Sequence, residues 1–170
     1  MNRIDVVIRS LGQAELSLIK DVFSNENYWH DSRYEQQVNG EAEYLFAWLD
    51  GSPIGHLLLL WNGTSDEPVA SDLKNCPHIQ NLCVLEKHRR KGVGTTLMEC
   101  AETLAKERGF TRIGLSVGTE NLTAKKLYER LGYVEQTSFG IIIASWIVVN
   151  EDGQSEENSA SIVYMVKAMS

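Results

Sequence analysis

Cysteine, proline and long apolar runs are all scarce in these 170 residues, and each scarcity removes a class of protein. The three cysteines, Cys76, Cys83 and Cys100, are an odd number, and Cys100 falls on the apolar stripe of an expected helix. A disulfide-stapled fold is therefore excluded, and reduced, partly buried thiols are expected. Cys76, His78, Cys83 and His88 are the obvious donors for zinc. Extended chain at about 3.3 Å per residue sets the first too far from the last to share one ion unless it folds back, so no metal is expected. The longest uniformly apolar run, Leu57 to Trp61, is far too short to cross a bilayer, and the N-terminus shows no basic-then-apolar leader pattern. The sequence thus reads as soluble and cytoplasmic, with no membrane partner. Positive charge is short as well: 16 Lys and Arg stand against 23 Asp and Glu, a net charge of −7. Such a surface suits cationic partners such as amines and argues against nucleic acid.

What is present fits one domain spanning 1–170, since 43% apolar residues in a chain of this length can bury a sizeable core. The one dense basic cluster is the short 87–91 run, which leads into the stretch His88-Arg89-Arg90-Lys91-Gly92-Val93-Gly94-Thr95-Thr96-Leu97. It follows the strand-like run Ile79 to Leu85 and opens a segment with apolar residues at Val93, Leu97, Cys100, Ala101, Leu104 and Ala105, which is helical spacing. A strand, a glycine-bearing loop and a helix follow one another. Gly92 and Gly94 let backbone N–H groups approach a ligand closely, and the first turn of the helix favours an anion. A phosphate-bearing ligand fits that corner. A dinucleotide fingerprint would need a third glycine where Leu97 stands, and no Walker lysine motif exists. A plain turn and cap is the rival reading.

A second segment decides between them. Arg89-x-x-Gly92-x-Gly94 resembles the coenzyme A loop of the GNAT superfamily of N-acetyltransferases, and Asn121-x-x-Ala124-x-x-Leu127-Tyr128-x-x-x-Gly132-Tyr133 resembles that superfamily's second motif. The likeness is strong over Ile79 to Tyr133 and only architectural outside it. It implies acetyl-CoA as co-substrate, with Leu82, Cys83, Val84, Arg89, Arg90, Lys91, Gly92, Val93, Gly94, Thr95, Asn121 and Tyr128 as its binding residues. In the family the strand at Leu82-Cys83-Val84 splays from a parallel neighbour, freeing backbone groups to bond the pantetheine arm and polarise the thioester carbonyl.

The remaining chain agrees with that architecture. Strands are expected at Ile4 to Ile8, at Tyr44 to Leu49 and Pro53 to Trp61 around an Asp50-Gly51 turn, and at Thr111 to Val117. Tyr133 to Asn150 is β-forming, Glu151 to Asn158 reads as a polar hairpin loop, and Ser161 to Ala168 is the closing strand. Helices are expected at Leu11 to Phe23, within Asn25 to Asn39, from Val93 to a Gly109 cap, and from Asn121 to Gly132. The family resemblance places Asn25 to Asn39 over the acceptor site; Asn62 to Asn75 is a long loop that could border it. The expected class is α/β (α+β): a GNAT-like mixed, mostly antiparallel central sheet with a parallel splayed strand pair and about four flanking helices.

Acetyl transfer to an amine requires a held donor, a polarised carbonyl, a deprotonated amine and a proton for the departing thiolate. Tyr128, with an ordinary pKa near 10, is a fitting proton donor; its rival role is a core tyrosine beside Leu127 and Leu131. The base is open. Where many family members carry a strand carboxylate, this chain has His78, Gln80 and Asn81. His78, a residue of the Glu26 to Asp31 segment, or a water relay could serve, and His56, inside an apolar run, reads as structural. The main expectation is transfer from acetyl-CoA to a primary amine by direct attack in a ternary complex, with small-molecule and protein amines equally compatible and a homodimer left open. The missing strand carboxylate motivates the alternative, a non-catalytic acyl-CoA-binding module.

Overall fold

The computed structural model describes residues 3–170. In chain order it contains β1 (Val7–Ser10), α1 (Leu16–Val22), α2 (Asn27–Val38), β2 (Ala42–Leu49), β3 (Ser52–Leu60), α3 (Val69–Asp72), β4 (His78–Val84), α4 (Val93–Glu107), β5 (Arg112–Gly118), α5 (Leu122–Arg130), β6 (Val134–Glu135), β7 (Ile142–Val149) and β8 (Ser155–Ala168). The class is the expected mixed α/β arrangement, with mostly antiparallel pairing. Five α-helices occur among the described residues; the one beyond expectation is the single turn α3 inside the 62–75 loop.

Two compact units make up the chain. The first is the chain up to Trp61 together with Ile79–Gly109. Its antiparallel β1, β2 and β3 alternate as strands must, so Ala42, Tyr44, Phe46 and Trp48 share one face with Leu58, packing on Leu11, Ile19 and Phe23. Burying a side chain the size of Leu58, Ile19 or Phe46 stabilises the unit by about 1.5–3 kcal/mol. The β2–β3 turn is as the Asp-Gly pair demands, with Asp50 at φ 49° and Gly51 at φ 80°. β1 begins at Val7 rather than Ile4, because Val7 pairs with Trp48 near the end of β2, while the Ile4 N–H bonds the Lys91 carbonyl. Along α4 the helical stripe Val93, Leu97, Met98, Ala101 and Ala105 is buried, and Gly109 at φ 87° ends it.

The second unit is Asn62–His78 with Phe110–Ser170. There β8 pairs antiparallel with β5, β6 and β7, and Val69, Ile142, Ile162 and Tyr164 form a buried cluster. Tyr133 to Asn150 is not one strand. Gly140, at φ 63°, follows a 3-10 turn at Thr137–Phe139 and separates β6 from β7. Glu151 to Asn158 is not one loop either: the turn is tight, its N–H groups of Asp152 and Gln154 held by the Asn150 side chain, and β8 starts at Ser155. Polar residues suit that ribbon because most of them face solvent.

Candidate active site

β4 leads into the glycine loop with a break in its own regularity. Asn81, at φ 58°, puts a left-handed residue in mid-strand just before Leu82, Cys83 and Val84, all half-buried. Asparagine tolerates that conformation, and it re-aims the backbone groups that follow. β3 comes very close here: a Cβ on Gly55 would stand 2.9 Å from the Cys83 carbonyl oxygen. Gly55 therefore positions β4, a role no motif announced.

The loop itself has Arg90 at φ 61° and Gly92 at φ 82°. Gly92 is the residue before α4, and no side chain caps that helix and no acid lies in its first turn. The N–H groups of Val93, Gly94 and Thr95 thus start the helix without a side-chain acceptor, beside the exposed cations Arg89, Arg90 and Lys91. Arg89 is anchored, its Nε donating to the Val84 carbonyl at 2.9 Å, and Lys91 Nζ donates to the Lys87 carbonyl at 3.1 Å. Gly94 has no neighbour closer than 3.8 Å to an added Cβ, so nothing within the chain explains it.

On the same unit lies a polar chain that sequence reading largely missed. His30 is fully buried with Nε2 at 2.9 Å from the Phe23 carbonyl and Nδ1 at 2.8 Å from the Tyr44 hydroxyl. The carbonyl only accepts, so Nε2 carries the proton and Nδ1 accepts from Tyr44. Burial lowers the His30 pKa, in keeping with a neutral ring. Arg33 Nη1 donates to the Tyr44 oxygen at 3.1 Å and to Glu26 Oε1 at 3.0 Å, and His56 Nε2 lies 2.8 Å from Glu26 Oε2. Burial pushes the Glu26 carboxyl up, but the hydrogen bond from His56 and the charges of His56 and Arg33 outweigh it and hold it at about 2. Glu26 is thus an ionised carboxylate, with a quarter of its side chain still exposed. His56 is wholly buried, and its Nδ1 has no hydrogen-bond partner among the described residues.

Cys83 closes this group: one donor atom each from Glu26, His56 and Cys83 lies within 4.8 Å of the others. The 2.8 Å His56–Glu26 distance is that of a hydrogen bond; two ligands of one tetrahedral zinc stand about 3.3 Å apart. Burial, and then the Glu26 charge, push the Cys83 thiol up, so it stays protonated at neutral pH.

The acid and base suggested by sequence both lie on the second unit. Tyr128 is half-buried on α5, burial raises its pKa, and its ring meets that of Tyr133 edge-on at 6.2 Å. Asn121 caps α5, its Oδ1 accepting from the Ala124 N–H at 3.2 Å, which engages the oxygen in the fold and leaves the amide nitrogen for other work. His78 is buried and stacked on Tyr164 with Nδ1 3.1 Å from its hydroxyl. Burial lowers its pKa to about 4. The candidate base read from sequence thus sits in the core, 2% exposed and paired with a phenol.

Residues 12–133 match the Acetyltransferase (GNAT) family. The chain belongs to this family. An N-alpha-acetyltransferase from Sulfurisphaera tokodaii is 31% identical over 113 residues, 65% of this chain and 67% of that one. Another from Saccharolobus solfataricus is 30% identical over 111 residues, 64% and 66% of the two chains, so the likeness spans about two thirds of each relative. The structure of PaiA N-acetyltransferase from Thermoplasma acidophilum in complex with coenzyme A shares the fold, with a TM-score of 0.60 at 19% identity over 97% of this chain and 99% of that one. This GNAT protein is an acetyl-CoA-dependent N-acetyltransferase. No helix among the described residues is long and apolar enough to cross a membrane.

Proposed function

We propose that the protein acetylates a primary amine borne by a protein, an α-amine at a chain terminus, by direct attack in a ternary complex. The observation that carries this is the ionised, partly exposed Glu26 beside Cys83 on the strand that leads into the glycine loop. It supplies from the start of α2 the carboxylate that β4 itself lacks. When bound, acetyl-CoA contributes an activated acyl carbon. The N–H groups of Gly92 to Thr95 and the neighbouring cations hold its phosphates, and the backbone of Leu82 to Val84 aligns its arm. Glu26 binds the acceptor as an ammonium and orients it. A carboxylate held at about 2 keeps a proton poorly, so the amine proton passes to water while Glu26 stays charged. Tyr128, protonated at neutral pH, gives its proton to the departing sulfur as the C–N bond forms and the C–S bond breaks. The protonated Cys83 thiol is a weak nucleophile, which favours direct attack over an acyl-cysteine route. The names of the two relatives, N-alpha-acetyltransferase, support an α-amine acceptor.

The test is thiol release with three acceptors: peptides with free α-amines, the same peptides Nα-blocked but carrying lysine, and small polyamines. Turnover confined to the first set supports the proposal. Turnover on polyamines alone overturns the acceptor, and tight CoA binding with no turnover on any amine leaves the binding-module reading.

A further inference from the structure

Ten large hydrophobic residues are exposed among those described, and four of them fall within seven consecutive positions: Ile141 (67%), Ile143 (64%), Trp146 (41%) and Ile147 (56%). Scattered apolar residues need no explanation, but four on and just before one strand do, with Ile141, Ile143 and Ile147 alternating away from Trp146. Among the described residues β7 pairs with β8 alone, so its other edge is unpaired. The direction of its backbone groups follows from the turn. The Asn150 N–H bonds the Gln154 carbonyl, and the register runs unshifted from Val149↔Ser155 to Ile142↔Ile162. Antiparallel pairs alternate, so Ile142, Ala144, Trp146 and Val148 bond β8, while Ile143, Ser145, Ile147 and Val149 turn N–H and C=O outward. The Ser161 carbonyl, opposite Ile143, accepts instead from the Thr119 N–H, as that alternation requires. Exposed edges ordinarily carry lysine, proline or a bulge that blocks further pairing. Residues 141–149 hold no charge, no proline and no glycine.

We propose that β7 is a self-association edge: two copies of this chain pair β7 antiparallel to β7 about a two-fold axis through Ser145. The strand is self-complementary about that residue. Ile141 of one copy lies beside Val149 of the other, Ile142 beside Val148, Ile143 beside Ile147, and small Ala144 beside large Trp146. Ser145 meets Ser145 as a hydrogen-bonded pair, because its backbone groups point outward. Charge is compatible too. The carboxylates Glu156 and Glu157 stand opposite Val148 and Ile147 on β8, so in the joined sheet the rows they begin end at Ile162 and Ser161 of the other copy. No two carboxylates share a row. A peptide could add to the same edge, but residues 141–166 contain no Lys or Arg while Glu151, Asp152, Glu156 and Glu157 surround the hairpin tip. A second copy fills the neutral strand without needing a counter-charge.

Sedimentation equilibrium of the full chain, from low micromolar concentration upward, tests this. The wild type should form a reversible dimer. Ile143→Lys with Ile147→Lys, which sets ammonium beside ammonium across the axis, should sediment as a monomer with an unchanged circular-dichroism spectrum. Ile143→Lys with Ile147→Glu should recover the dimer. Ser145→Cys should give a cross-linked dimer on mild oxidation, since directly opposed hydrogen-bonded residues lie about 5.5 Å apart at Cα, within disulfide range; the wild type should not. A monomeric wild type, a dimer that survives the double lysine change, or no recovery with the lysine–glutamate pair in a folded protein overturns the proposal. If the double lysine change leaves the mass unaltered but raises KM for a peptide acceptor, the edge serves the acceptor instead.

Discussion

His56 and His78 are both buried, yet their surroundings are opposites. His56 faces an ionised carboxylate that reaches solvent and closes a polar chain through Arg33 and Tyr44. His78 stacks on Tyr164, bonds that phenol, and has burial alone acting on its pKa. Burial by itself keeps an imidazole neutral and inert, whereas a charged, half-exposed partner gives the neighbourhood a group that can bind a cation. On the proposed function, the first histidine serves the site and the second the fold.

The largest effect expected from breaking this contrast is at Glu26. Glu26→Gln keeps the shape but removes the anion, and kcat/KM should fall roughly 100- to 10,000-fold. The matching change His78→Leu should leave kcat/KM within about threefold while altering stability. Equal losses of turnover in the two variants would erase the distinction. Tyr128→Phe should lower kcat roughly 10- to 1000-fold with CoA affinity near wild type, because packing is kept and only the proton is lost. Full kcat across pH would return Tyr128 to a packing role.

Acid should sharpen the contrast in stability. The folded pKa of His78, about 4, lies below the ordinary 6.5. The unfolded chain binds the extra proton, so stability falls as pH drops from about 6.5 to 4, by up to about 1.4 kcal/mol per unit. Glu26 acts in a lower window. Its folded pKa of about 2 lies below 4.5, so its stabilisation is present above 4.5 and is lost as pH falls toward 2. Denaturant midpoints of His78→Leu should show a shallower upper limb, to which buried His30 still contributes, and keep the lower. An unchanged upper limb would show that His78 does not titrate there.

Smaller effects test the framework around the pair. Gly55→Ala should cost about 1–3 kcal/mol in a denaturation curve, because a Cβ 2.9 Å from a backbone oxygen forces β3 and β4 apart. It should also lower turnover by shifting Cys83; wild-type values of both would show the strands free to separate. Least severe, Arg89→Ala or Arg90→Ala should weaken CoA binding a few-fold, more at low salt than at high, as exposed charges are screened beyond about 10 Å at 0.1 M. A loss independent of salt would point to a disturbed loop.

What was legible in the sequence was whatever spacing alone controls. Helical periodicity marked α4 and the Asp50-Gly51 pair marked a hairpin, because each is decided within about ten residues. The Tyr133 to Asn150 stretch was legible as β-forming but not as two strands, because one left-handed Gly140 divides it.

The sequence by itself determined the family and the co-substrate and pointed to a loop for it, since those rest on short, local motifs. Only the tertiary structure decided which histidine has a carboxylate. Glu26 and His56 are thirty positions apart and meet at 2.8 Å only because α2 packs on the β2–β3 sheet. His78 and Tyr164, eighty-six positions apart, pair in a dry core by the same kind of packing. A side chain's partner sets its proton affinity, and partners this distant in sequence are chosen by packing rather than by spacing.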